Sequence, residues 1–398
     1  VTLLAEVSRA NLHARRLTRP VRVCFVIDRL SRAGTETQLL ALVKALDRGR
    51  VEPFLCLLDG EDQLSRSLEP VNCPTLRLGL QALVGRATLP ALGTLKRFWR
   101  SHHIDVVQTY FLDSTYLAVP WAKLCGIKKI IRVRNNLGYW LTNGHQRLGR
   151  WMGRLADVTL TNSDGGKQAI MEAERLHPEK IAVLENGVDL ECFAIGSLPD
   201  TRGEVVRVGA VANLRPVKNI DGLIRAAASL RETLLQVQFE VAGEGEQRHE
   251  LEKLIADHRL AQHFRLLGSV SDIPAFLMRQ DIAILPSHSE GMSNALLEYM
   301  ASGRMIVATD VGAASRLIRD GIHGRLVPPG DEAALAAAIA WMIQNPEAGQ
   351  AMAMAARQRV QDEYSRSAMA RRFEAFYETL ISRRAKGSIG GKNPHSPS

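Results

Sequence analysis

The chain predicts an α/β protein with two doubly wound, mostly parallel sheets in tandem, and three observations carry that prediction. Short apolar runs alternate with amphipathic stretches along nearly the whole length, as βαβ units require. The alternation lapses in the polar stretch FAIGSLPDTRGE, residues 193–204, and then restarts. The length of 398 residues also exceeds what one core organises, since domains usually run about 100 to 200 residues. With 46% hydrophobic and 23% charged residues the composition is that of a globular protein, which excludes a disordered, collagen-like or low-complexity chain.

The elements follow in order. Residues 21–27 (VRVCFVI) read as a buried strand, followed by a loop and a helix at about 35–46. Strands are expected at about 53–58, 104–109, 128–133, 157–161 and 180–184, and in a second series near 204, at 236–242, 281–285 and 304–308. After residue 330 three helical stretches follow, the last with Met369, Phe373, Phe376, Tyr377 and Leu380 at helical spacing. The expected division is an extension over 1–20, a first domain over 21–195, a second over 196–365, a final helix over 366–383 and a small, polar, disordered tail over 384–398. Two such sheets in tandem place the carboxyl ends of both strand sets at one cleft, where open α/β sheets bind ligands.

Five cysteines without CxxC spacing suggest neither a disulfide framework nor structural zinc, and a reducing compartment fits best. No apolar run is long enough for a signal segment or a membrane span, so a cytoplasmic protein is expected. The net charge of +9 is uneven: residues 1–150 carry 23 Lys and Arg against 11 Asp and Glu, the remainder 28 against 31. A basic first half suits anionic lipid or phosphorylated substrates, or is a solvated basic surface. Nucleic acid is not expected, because no basic recognition helix, zinc-finger spacing or aromatic RNA-binding signature is present.

Three segments could carry chemistry. In PSHSEGMSNALLEYMASG, residues 286–303, a strand runs into a loop and Ser293-Asn294 can cap a helix from Ala295, whose free amides and dipole suit a diphosphate. Glu290 precedes that helix and Glu298 lies about one turn inside it; alone, they read equally as a dipole partner and a solvated carboxylate. In NLRPVKN, residues 213–219, Arg215 and Lys218 leave a strand end together and place two cations beside any phosphate held there. A carboxylate near a sugar with cations near a diphosphate is what transfer from a nucleotide sugar requires, because the leaving phosphate gains negative charge. In RAGTE, residues 32–36, Gly34 permits close backbone approach between the first strand and helix, or is a tight turn. The loop Gly243-Glu244-Gly245 is similar, and no GxGxxG or GxxxxGK[ST] is present, which argues against dinucleotide oxidoreductases and P-loop kinases.

In this order and on these elements, the segments resemble the retaining glycosyltransferases of family 4, whose two-Rossmann-domain architecture is called GT-B. The resemblance covers about residues 21–383; Glu290 and Glu298 match the family's E-x7-E motif, and NSDGGKQAI (162–170) and ENGVDLECF (185–193) look like its linker-proximal motifs. It implies two Rossmann-like domains facing across a cleft, with the last helix crossing back to the N-terminal domain. It also implies that the C-terminal domain binds the nucleotide-sugar donor, UDP-sugar favoured and GDP-sugar the other choice. Glu290 would contact the donor sugar, Glu298 the ribose hydroxyls and Lys218 the diphosphate, with Arg215, Asn213, Gly243 and the stretch Gly291, Met292, Ser293 and Asn294 around them and Gly34 facing the phosphates from the opposite domain.

The chain departs from the family at four places. Asn213 stands where the family often has Arg, so Arg215 would supply that charge. RVRNNLGYW lacks the frequent His after the fifth strand, which leaves Arg134, Asn135 or Asn136 as acceptor contacts. Gln108 and Tyr110 replace a frequent His-x-His, and Ala33-Gly34 replaces a glycine pair. His102-His103 reads as a helix end rather than a metal site. The implied enzyme is a hexosyltransferase that retains configuration and needs neither metal nor cofactor. Its acceptor would be a glycan or lipid-linked intermediate of cell-surface polysaccharide or glycolipid assembly, met at the inner membrane face. The alternatives are a non-hydrolysing nucleotide-sugar epimerase and a catalytically inactive binding subunit of the same fold; a glycosidase would give the cations no purpose.

Overall fold

The computed structural model describes residues 18–31, 33–59, 63–135, 142–193, 198–202, 205–230 and 236–382. The expected extension therefore lies almost wholly outside the described residues, as do the tail, Arg32, Asn136 and part of the join at 193–204.

Two all-parallel sheets form. The first contains β1 (Val21–Ile27), β2 (Val51–Leu57), β3 (Thr75–Arg77), β4 (Val106–Thr109), β5 (Lys129–Val133), β6 (Val158–Thr161) and β7 (Ile181–Val183), in the order β3-β2-β1-β4-β5-β6-β7. The second contains β8 (Val206–Val211), β9 (Val237–Ala242), β10 (Phe264–Gly268), β11 (Ile282–Leu285), β12 (Met305–Thr309) and β13 (Arg325–Val327), in the order β10-β9-β8-β11-β12-β13. In each sheet the order reverses beside the first strand, between β1 and β4 and between β8 and β11. That reversal opens a crevice at the carboxyl ends.

Helices cover both faces of each sheet, which is why β1, β11 and β12 are buried nearly throughout instead of alternating. β1 shows the consequence: Val23, Phe25 and Ile27 join one core layer, Cys24 and Val26 the opposite one. Three strands escaped the sequence reading, β3, β10 and β13. All three are short and only partly buried, and all three are sheet edges. All five cysteines are free thiols.

The final helix, Arg366–Ser382, returns to the first sheet. Met369, Phe373, Phe376, Tyr377 and Leu380 enter the core that holds β1 and Leu39, Leu42 and Val43 of helix Gly34–Ala45. Arg50 fixes the outer side through Glu374 at 2.7 Å and Glu378 at 2.6 Å. Gln108 does more here than replace a histidine. Its amide nitrogen donates to the Tyr110 hydroxyl at 2.7 Å and its carbonyl accepts from the Tyr377 hydroxyl at 2.8 Å, tying the returning helix to the end of β4.

Candidate active site

A cavity of about 1230 Å³ lies between the carboxyl ends of the two sheets. Of the residues singled out from the sequence, Glu290, Lys218, Arg215, Gly34, Asn213, Gly243, Gly291, Met292, Ser293, Asn294, Glu298, Tyr110, Arg134 and Asn135 line it. Residues separated by more than 250 positions meet because both crevices open toward each other.

On the C-terminal side the site is built from the ends of two paired strands, β8 and β11. After β8 the chain makes a short turn, Pro216–Lys218, and Asn219 closes it in the left-handed region at φ 53°. Two hydrogen bonds join this turn to the loop after β11: the His288 amide donates to the Val217 carbonyl at 2.9 Å, and the Asn219 side-chain amide to the Pro286 carbonyl at 3.0 Å. The stitching brings Lys218 Nζ to 2.6 Å from Glu290 Oε1, which also accepts from Ser287 Oγ at 2.8 Å. Arg215 and Asn213 are exposed at the rim. Lys218 and Glu290, expected on neighbouring parts of a ligand, are therefore partners of each other.

Ser293 caps helix Asn294–Ser302, one residue earlier than expected, accepting from the Leu296 amide at 3.3 Å. The helix is locked against the sheet by Tyr299, whose hydroxyl accepts from the Val211 amide at 2.7 Å and donates to the Ile284 carbonyl at 3.2 Å. Its neighbour Glu298 is partly buried and reaches the cavity. Burial pushes its carboxyl up to about 7, and no charge or hydrogen bond of the described residues offsets that.

Gly243 and Gly34 also make contacts that the sequence did not show. A side chain on Gly243, at φ 153°, would run into the Ala212 carbonyl oxygen at 1.9 Å, so this glycine lets two strand-end loops touch at the cavity wall. Opposite Gly34 stands a side chain of the other lobe: Asn294 donates to the Gly34 carbonyl at 3.3 Å. Gly291 likewise meets the other lobe, since a side chain there would lie 2.8 Å from the Asn135 carbonyl. On the acceptor side, Tyr110 is buried with its hydroxyl held by Gln108, and Arg134 pairs with Glu174 at 2.6 Å. His102 and His103 close helix Thr88–Ser101, as expected of a helix end.

Several contacts at the site carried no recognisable signal. Asn186 donates to the Asn294 side chain at 2.7 Å, and Arg316 pairs with Asp164 at 2.7 Å and Glu185 at 2.6 Å, so NSDGGKQAI and ENGVDLECF serve as contacts to the C-terminal lobe. Gly312, at φ 59°, packs against the backbone of the Glu290 loop, where any side chain would strike the Glu290 carbonyl at 2.2 Å. No helix of the described residues is long and apolar enough to cross a membrane.

Two family models match, one to each lobe: Glycosyltransferase Family 4 over residues 32–192 and Glycosyl transferases group 1 over residues 201–359. A glycogen synthase of Mycobacterium tuberculosis is 28% identical over 302 residues, covering 73% of this chain and 71% of that one. The UDP-Gal:alpha-D-GlcNAc-diphosphoundecaprenol alpha-1,3-galactosyltransferase of Escherichia coli is 25% identical over 327 residues, covering 74% and 83%. Among solved structures, Anabaena HepE in complex with UDP and glucose superposes with a TM-score of 0.77 at 20% identity, covering 89% of this chain and 98% of that one. With both lobes matched on either side of the cleft and the E-x7-E pair facing it, the chain belongs to the glycosyltransferases of family 4.

Proposed function

We propose that the enzyme moves a hexose from a nucleoside-diphosphate sugar, UDP-sugar rather than GDP-sugar, to an acceptor hydroxyl with retention of configuration. The observation that carries the reading is the Lys218–Glu290 pair at 2.6 Å, set before the amino end of helix Asn294–Ser302. The donor diphosphate takes over Lys218, with Arg215 and the amides from Gly291 to Asn294 around it, and releases Glu290 to face the sugar. Glu298 accepts from the ribose hydroxyls, whose two donors suit an unpaired carboxylate. The bond from the anomeric carbon to the diphosphate oxygen breaks, with its electrons passing to that oxygen. The acceptor oxygen bonds to the same face and its proton goes to the departing oxygen. The developing charge is met by Lys218, Arg215 and backbone amides, so the step we propose uses no metal. UDP is favoured because HepE is seen in complex with UDP and the galactosyltransferase is named for UDP-Gal.

The acceptor is a glycan or lipid-linked intermediate of polysaccharide or glycolipid assembly, approached at the inner face of an anionic membrane. Helices Thr88–Ser101, Leu112–Leu124 and Asn143–Leu155 support this: they contain seven Lys and Arg against one acid, Asp113, and leave Leu89, Leu124, Leu148 and Trp151 exposed. The protein should sediment with phosphatidylglycerol vesicles at low salt and not with phosphatidylcholine alone; equal behaviour on both would remove the membrane from the proposal.

The donor site is tested by thermal shift with UDP, GDP, ADP and their sugar conjugates on the wild type and Lys218→Ala. A ligand at a hundred times its dissociation constant adds about 2.7 kcal/mol. The expected result is a rise with UDP compounds that the variant lacks. No rise with any nucleotide would overturn the donor assignment.

A further inference from the structure

The cavity extends into the N-terminal lobe, where Tyr116, Arg132, Arg134, His145, Gly149 and Glu174 line it. The three charged groups are almost sealed, with Arg132 4%, Arg134 8% and Glu174 2% exposed. One carboxylate serves two guanidiniums: Glu174 Oε1 accepts from Arg134 Nη1 at 2.6 Å, and Oε2 accepts from Arg132 Nη2. Among the described residues the charged groups that bear on Arg134 are Glu174 and Arg132, so this buried trio carries one more positive than negative charge. Asp28 and Asp113 line the cavity as well, but Asp28 Oδ1 is taken by the Ser114 amide at 2.8 Å and Asp113 is exposed.

Hydrogen-bonding capacity is left over in the same place. Among the described residues, Arg134 Nε and Nη2, Arg132 Nε and the Tyr116 hydroxyl are buried without a partner. Buried donors are normally paired, and a buried cation lacking its full counter-charge is costly, so a group of this kind calls for an anion from outside the chain. Gly149 keeps the arm open. It sits inside helix Asn143–Leu155, where glycine is unfavourable, and a side chain there would meet Glu174 Oε1 at 2.8 Å and Arg132 Nη1 at 3.5 Å.

We propose that this arm is an anion subsite for the acceptor: the molecule that receives the sugar carries a carboxylate or a phosphate, which lies against Arg134. The proposal rests on the transferase reading, because the acceptor is the substrate that enters from the N-terminal lobe. A planar guanidinium with two free N–H groups suits a two-oxygen anion, and that anion restores the charge balance of the trio. A neutral acceptor hydroxyl would do neither.

The test measures binding of methyl glucuronide, glucose 1-phosphate and methyl glucoside by calorimetry, with the donor site filled by UDP. It uses the wild type, Arg134→Gln and Arg134→Lys. The expected result is that the wild type prefers an acidic sugar over methyl glucoside by about ten- to a hundredfold, the range of one charge-assisted hydrogen bond. That preference should vanish in Arg134→Gln and return in part in Arg134→Lys. Preference for methyl glucuronide identifies a carboxylate acceptor, and preference for glucose 1-phosphate a phosphate one. Equal binding of all three sugars, or none, overturns the subsite, as does a preference that Arg134→Gln retains. UDP binding reports separately: its absence in the wild type defeats the donor reading, and its presence in Arg134→Gln shows that the variant is folded.

Discussion

Glu298 offers a prediction whose sign and size follow from its surroundings. Burial raises its carboxyl from 4.5 to about 7 with nothing among the described residues to offset the loss of solvent. The folded protein therefore holds a proton that the unfolded chain releases between those two values, and stability must fall as pH rises through that window. A difference of 2.5 units corresponds to about 3 kcal/mol when the carboxylate is fully ionised. Glu298→Gln removes the ionisation while keeping the shape. The variant should gain about 2 to 3 kcal/mol relative to wild type between pH 5 and pH 8, read from urea melts at both values. Nucleotide binding should move the opposite way: the ionised carboxylate is the form that accepts two ribose hydroxyls, so wild-type affinity should rise with pH up to about 7 and level off, while the variant binds weakly throughout. A stability difference between the two proteins that does not change with pH would show that burial does not raise the carboxyl. The coupling of a destabilised group to ligand binding would then be wrong.

Two further perturbations probe other links. Glu290→Gln should reduce turnover by about a hundred- to a thousandfold, the range for one group that acts on developing charge, with donor binding changed much less; equal losses in both would make Glu290 a binding group only. Phe376→Ala, which hollows the contact between the returning helix and the first sheet, should cost about 3 to 5 kcal/mol in denaturant unfolding, and a loss below 1 kcal/mol would mean that the helix is not part of that core.

How much of this could be read in advance depended on the kind of signal. β1, β4, β5, β6, β8, β9, β11 and β12 announced themselves because a strand covered on both faces is rich in apolar residues. Glu290, Glu298, Lys218 and Ser293 were legible because each is placed by its own local element, a strand end, a short turn or a helix cap. β10 was not legible: FRLLG buries only its first and last residues, so its pattern lacks both the alternating and the continuous signal. The Asn186–Asn294 contact, the Arg316 pairs and the Gly312 support of Glu290 were equally silent, since each joins residues whose sequence separation bears no relation to the contact.

The sequence by itself determined the doubly wound halves, the helix that faces the cleft, and the carboxylates and cations at the strand ends, because hydrophobic periodicity and capping act over a few residues. Only the tertiary structure decided that Lys218 and Glu290 hold each other, that Gly34 faces Asn294 across the cleft, that Gln108 anchors the returning helix, and that Arg132 and Arg134 share a single carboxylate. Pairings and charge balances of that kind are set by which elements the fold brings within reach of one another. Burial then turns a residue's ordinary charge into an unbalanced one, and neither effect is written in the order of the residues.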